Sequence, residues 1–189
     1  MNEIPTKTFS SAATWRRWLD ANHATSSGLW LRIYKKAAGK KTVTYAEALD
    51  EALCYGWIDG QKNKGDEASW LQKFTPRRPR SMWSKNNREH VARLVEAGRM
   101  TFRGQKEVDA ARKDGRWDKA YDAASTMEIP ADFLRELKKD KQALSFFESL
   151  NRTNVFAIVW RLQTAKKPET RTRRMELFFQ MMKDGKKFH

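Results

Sequence analysis

With Cys54 as its only cysteine, the 189-residue chain can form no intramolecular disulfide and cannot assemble a cysteine-based structural zinc site. Histidine is almost as scarce. His23, His90 and His189 stand far apart, and neither an HExxH nor a CxxC pair occurs, so no metal and no cofactor is expected. The nine glycines never fall into GxGxxG, GxxxxGK[ST] or GxSxG, which argues against the commonest nucleotide-binding and hydrolase designs. No apolar run approaches the roughly 20 residues that span a bilayer, and no membrane span is expected. The opening MNEIPTKTFSSAATWRRWLD lacks the apolar stretch of about 7–15 residues found in a secretory signal. Together with the lone thiol, this points to the cytoplasm.

Acid is the minority charge. Against 23 Asp and Glu stand 38 Lys and Arg, a formal net charge of +15. Such an excess attracts polyanions, membrane surfaces or acidic proteins without distinguishing among them. An anionic small molecule, a peptide and nucleic acid are the partner classes that follow, and nothing in the sequence bears on oligomeric state. Eight Trp and ten Phe supply enough large side chains for one ordinary core or two small ones.

The order of patterns predicts an α+β fold. Ser10 or Ser11 caps a first helix with an inward stripe of Ala12, Trp15 and Leu19, and Ser26-Ser27-Gly28 turns the chain. Leu29, Leu31 and Ile33 then alternate with Trp30, Arg32 and Tyr34, the period of a strand. Thr44 with Glu47 forms a capping box that opens a helix over 45–55, which Gly56 stops. Two short strands follow, over 57–63 and 69–74. Beyond Pro79 the spacing changes to three and four, as at Val91 and Leu94, Val108 and Ala111, Phe147 and Leu150, Ile158 and Leu162, Phe178 and Met182. Pro130 and Pro168 mark helix starts. The expectation is a small β-α-β-β lobe with a preceding helix, residues 1–80, packed on an all-helical lobe, residues 81–189, as one compact unit.

Candidate chemistry concentrates between residues 45 and 87. On the helix from Tyr45, Glu47, Asp50, Glu51 and Cys54 share one side; paired carboxylates could serve as acid and base, but an amphipathic helix usually turns such a side to solvent. Negative neighbours disfavour a Cys54 thiolate. From Arg77 to Arg88 the cations Arg77, Arg78, Arg80, Lys85 and Arg88 occur with no acid among them, interleaved with Met82 and Trp83. Arginine forks bind phosphate or carboxylate, and tryptophan faces stack on bases or guanidinium groups. The ligand-binding candidates are therefore Trp57, Asp59, Arg77, Arg78, Trp83, Lys85 and Asn87. Against them stands the ordinary reading of solvated loop cations beside core tryptophans. A second cationic cluster, Lys166, Lys167, Arg171, Arg173 and Arg174, surrounds the start of the last helix.

Several of these motifs carry a resemblance. Gly28-Leu29-Trp30-Leu31, the Thr44 to Asp59 run, Phe74-Thr75-Pro76-Arg77-Arg78-Pro79, Trp83-Ser84-Lys85-Asn86-Asn87, Glu96-Ala97-Gly98-Arg99-Met100-Thr101 and Lys166-Lys167-Pro168-Glu169-Thr170-Arg171 together resemble the YdeI/OmpD-associated, or bacteriocin-protection, family over about Phe9 to Met182. The resemblance implies a bacterial protein with a stress or antimicrobial-resistance role and brings no catalytic residues to carry over. The functional expectation is a non-enzymatic protein holding an anionic or peptide ligand. Nucleic-acid binding through the basic, Trp-rich surface is the first alternative, and an enzyme using Glu47, Glu51 or Asp59 the second.

Overall fold

Thr44 opens the helix that organises the first part of the chain. The computed structural model describes residues 4–123 and 126–188. In it the Thr44 hydroxyl accepts from Glu47 N while the Glu47 carboxylate accepts from Thr44 N, closing the reciprocal cap at the start of helix α2, Tyr45–Cys54. Ser11 and Thr14 form the same kind of box before helix α1, Ala12–Asn22, whose Trp15 and Leu19 are buried. The fold is α+β, as the sequence predicts.

Four strands form one sheet in the order β1-β2-β4-β3: β1 Thr6–Lys7, β2 Leu29–Tyr34, β3 Trp57–Lys64 and β4 Ser69–Pro76. The pairs β2–β4 and β3–β4 are antiparallel, while β1 lies parallel to β2 through Thr6 opposite Trp30. A two-residue strand carries too little periodicity to be seen in sequence, and β1 was not expected. Between Asp59 and Lys62 the register of β3 shifts, a bulge over Gly60 and Gln61. Leu29, Leu31, Ile33 and Phe74 line the inner face, where the Trp15 ring lies 5.8 Å from that of Phe74.

Two glycines close the end of α2. Gly56 takes φ +72°, and a Cβ there would also sit 3.2 Å from Arg103 O. Gly104 lies in helix α4, Phe102–Lys113, where a Cβ would come 2.3 Å from the carbonyl oxygen of Cys54. No side chain can occupy that space, so the approach of α4 to the end of α2 is a backbone contact. Thr101 joins it by donating its hydroxyl to the same Cys54 carbonyl at 2.6 Å.

The expected solvated face of α2 is not solvated. Asp50, Glu51 and Cys54 are all buried, and of the four only Glu47 is exposed. Glu51, 4% exposed, receives Arg16 Nη1 from α1 at 2.9 Å and Arg99 Nη2 at 2.5 Å. Asp50 receives Arg93 Nη2 at 2.8 Å and lies 2.7 Å from His90 Nδ1, both on helix α3, Lys85–Glu96. Arginine partners distant in sequence cover this face, and helical periodicity does not reveal them.

The chain divides into two compact units. One runs to Trp83 and resumes over Asn87–Lys119; the other joins Ser84–Asn86 to the chain from Ala120 onward. The second unit contains α5 Ala131–Leu137, α6 Lys141–Glu148, α7 Arg152–Gln163 and α8 Pro168–Lys183. Phe133, Leu137, Phe147, Ile158, Leu162, Phe178 and Met182 form its core. Each such side chain contributes about 1.5–3 kcal/mol by burial. Pro130 precedes α5 and Pro168 stands in the first turn of α8, as their fixed φ favours.

Candidate functional site

The basic loop leaves β4 at Pro76 and is fastened at once: Arg77 N donates to Gly56 O at 3.0 Å. The Arg77 side chain then turns inward. Only 6% exposed, its guanidinium carbon lies 3.5 Å from the centroid of the Trp83 ring, and Nη1 donates to Met82 O at 3.2 Å. Trp83 in turn meets Trp117 edge to face at 4.9 Å. Arg88 and Arg112 each lie 5.2 Å from the Trp117 ring, and Arg88 Nη1 donates to Trp117 O at 2.8 Å. Arg116, paired with Asp114, donates to Ser81 O at 2.6 Å. Arginine can both stack and donate in this way because its guanidinium is planar and weakly hydrated.

What this scaffold displays is a tight turn. Ser81 N donates to Arg78 O at 3.0 Å, with Pro79 and Arg80 between them. Arg80 has φ +62° and is the one non-glycine residue with positive φ among the described residues. Proline second and a left-handed residue third is the pattern of a type II turn, which ordinarily takes Gly or Asn at the position Arg80 fills. Arg78, Pro79 and Arg80 are exposed. Among the described residues no carboxylate pairs with either arginine.

The seven sequence candidates thus separate. Trp57 is 1% exposed, donates its indole N–H to His23 O at 3.1 Å and packs edge-on against Trp18 at 5.8 Å. Asp59 is half-buried and accepts from the Tyr45 hydroxyl at 2.7 Å. Trp83 and Asn87 are buried. Lys85 is exposed, belongs to the second unit and pairs there with Asp122 at 2.6 Å. Of the seven, only Arg78 is an exposed cation that has no acidic partner among the described residues. Arg80, left out of the seven, joins it; the signal in sequence was the R-P-R-S tetrapeptide, whose proline fixes the turn and puts Arg80 at its third position.

Two buried titratable groups of α2 are held by the fold. Burial pushes the Asp50 carboxyl up, but hydrogen bonds from Arg93 and His90 and their charges outweigh it and hold the group below the usual carboxylate range. Burial, aided by the Glu51 charge, pushes the Cys54 thiol up to about 11. Among the described residues no group of three or more His, Cys, Asp and Glu side chains gathers to hold a metal ion, and no helix is long and apolar enough to cross a membrane. In the second cationic cluster, Arg171 makes a two-pronged pair with Asp132 at 2.5 and 2.9 Å, and Arg174 donates to Arg161 O at 2.6 Å. Lys166, Lys167 and Arg173 are exposed.

Fold and loop together define an α+β protein with an exposed basic turn beside an arginine–tryptophan stack. Residues 7–107, just over half of the chain, match the family model described as a domain of unknown function (DUF8412), and residues 126–185 match that described as Bacteriocin-protection, YdeI or OmpD-Associated. The chain belongs to the family of the DUF8412 domain, and the match over residues 126–185 supports the YdeI/OmpD-associated resemblance carried by its sequence motifs. Neither a curated protein nor a solved structure matches it.

Proposed function

We propose that this protein binds an anionic small molecule or peptide through the turn at Arg78 and Arg80, as a step in a stress or antimicrobial-resistance response. One observation carries the reading: Arg80 is held at φ +62° on an exposed turn. A left-handed residue with a Cβ costs about 1–2 kcal/mol, and such strain accumulates where a ligand is held. Two guanidinium groups offered by one turn form a fork for carboxylate or phosphate oxygens. Arg77, Trp83, Trp117 and Arg116 position the turn. The description of the family matched over residues 126–185 as bacteriocin-protecting supports the resistance role. A cytoplasmic setting is part of the proposal, supported by the free, buried Cys54.

Calorimetric titration with hexaglutamate and with inorganic pyrophosphate, against wild type and the Arg78→Ala/Arg80→Ala protein, tests the reading. Binding to wild type that is lost in the double variant, with an unchanged circular dichroism spectrum, is the expected result. Equal affinity in both proteins removes the turn as the site.

A further inference from the structure

The inner face of the sheet is filled by α1 and α2, but its other face has a different character. The strand register places Trp30 opposite Lys73, Arg32 opposite Leu71, Tyr34 opposite Ser69 and Ile58 opposite Thr75 on that outer side. Trp30, Arg32, Tyr34, Leu71, Lys73 and Ile58 all keep part of their surface in solvent, whereas their inward neighbours Leu29, Leu31, Ile33 and Phe74 are buried. Helices α1 and α2 lie on the inner side: Tyr45 of α2 reaches Asp59, and Trp15 of α1 reaches Phe74, both on the inner face.

Cations surround the outward rings. Lys73 Nζ lies 5.5 Å from the Trp30 ring centroid and Lys40 Nζ 4.8 Å from that of Tyr34. Between the two rings on the same strand stands Arg32, whose Nη1 reaches Ser69 Oγ at 2.9 Å and Asp66 at 3.0 Å. Four residues of strand separate the rings by roughly 13 Å, so each can take its own planar group. The antiparallel ladder holds both rings and both lysines in fixed register, and the ordering cost is met by the fold rather than at binding.

We propose that this face binds single-stranded nucleic acid, with Trp30 and Tyr34 stacking on unpaired bases while Lys73 and Lys40 meet the phosphates and Arg32, held by Asp66 and Ser69, spaces the two rings. Ring faces alternating with cations at fixed spacing match a chain of planar bases on an anionic backbone, and the formal charge of +15 draws such a chain to the surface. A duplex offers edges in its grooves and keeps its base faces stacked, so it cannot use the rings. An acidic peptide could satisfy the lysines but would leave Trp30 and Tyr34 without matching planar groups. This surface uses none of the residues assigned to the Arg78–Arg80 turn, and the two readings stand or fall separately.

Fluorescence anisotropy of a labelled short oligothymidylate with the full chain tests it, with a duplex of equal length and hexaglutamate as competitors. Single strand should bind more tightly than duplex. Trp30→Ala should weaken it roughly five- to hundredfold, the value of one base–aromatic stack, without altering the salt dependence. Lys73→Ala should instead reduce the slope of log affinity against log salt by about 0.7, one phosphate contact on a single strand. Trp30→Phe keeps a ring and should recover most of the affinity; it also serves as the readout should Trp30→Ala fail to fold, in which case Tyr34→Ala supplies the loss. Duplex binding equal to single strand, with Trp30→Ala and Tyr34→Ala both neutral, would overturn the proposal in favour of charge alone. Hexaglutamate displacing the oligonucleotide at lower concentration than the duplex would overturn it in favour of an acidic peptide.

Discussion

Replacing Arg80 with glycine should make the protein more stable, although it deletes a large side chain from the turn proposed to bind ligand. At φ +62° the Arg80 backbone lies in the left-handed region, where a residue with a Cβ costs about 1–2 kcal/mol. Glycine removes that cost but adds unfolded-state entropy of roughly 0.5–1 kcal/mol. Among the described residues the exposed guanidinium has no acidic partner to lose, so a net gain of about 0.5–1 kcal/mol remains, a few degrees in melting temperature for a chain of this size. Arg80→Ala keeps the Cβ and should gain nothing, and the difference between the two variants isolates the backbone. Differential scanning calorimetry of wild type, Arg80→Gly and Arg80→Ala measures it. Anion binding should weaken equally in both variants while stability separates them. If Arg80→Gly melts at or below Arg80→Ala, the turn is not held left-handed and the strain argument fails.

Other perturbations probe the scaffold. Gly104→Ala should destabilise by about 3 kcal/mol or more, because its Cβ would meet the Cys54 carbonyl at 2.3 Å and backbone must move; an unchanged urea midpoint would mean that α4 does not abut α2 there. Cys54, its thiol pushed up to about 11 by burial, should react with iodoacetamide at pH 8 at least a hundredfold more slowly in the native than in the urea-unfolded chain, within the order set by thiolate fraction. Asp50 has a folded pKa below its unfolded value, so its contribution is present above the unfolded carboxylate range and is lost as pH falls through the depressed pKa. Asp50→Asn should therefore lower stability at neutral pH and flatten the acid limb of the stability–pH curve; a limb as steep as that of wild type would assign acid unfolding to other groups.

Local features were legible in the sequence because their causes are local. The capping box at Thr44, the alternation from Leu29 to Tyr34 and the left-handed Gly56 each depend on a few adjacent residues, and each occurs where the sequence predicts it. Features decided by distant partners were not legible. Helical spacing put Asp50, Glu51 and Cys54 on one side of α2 correctly, yet whether that side met water depended on Arg16, Arg93 and Arg99, from other elements. The loop shows the same division. A run of cations marked it, but nothing in that run distinguishes Arg77, folded onto Trp83, from Arg78, left in solvent. For the outer sheet residues Trp30 and Tyr34 the sequence shows only their alternation with Leu29, Leu31 and Ile33, since each is paired with a β4 residue more than thirty positions away.

The three residues Ser84–Asn86 have a consequence for how the polypeptide comes into being. They belong with the unit that begins at Ala120, where Ser84 bridges to Tyr121 and Lys85 pairs with Asp122. A ribosome therefore delivers the first contribution to the second unit before the first unit is complete, and some thirty residues before the rest of it exists. A fragment ending at Lys119 carries Ser84 and Lys85 without Tyr121 and Asp122, and a fragment starting at Ala120 lacks Ser84 and Lys85. The two regions recognised by separate family models are thus neighbours in sequence whose units cannot be parted by one cut.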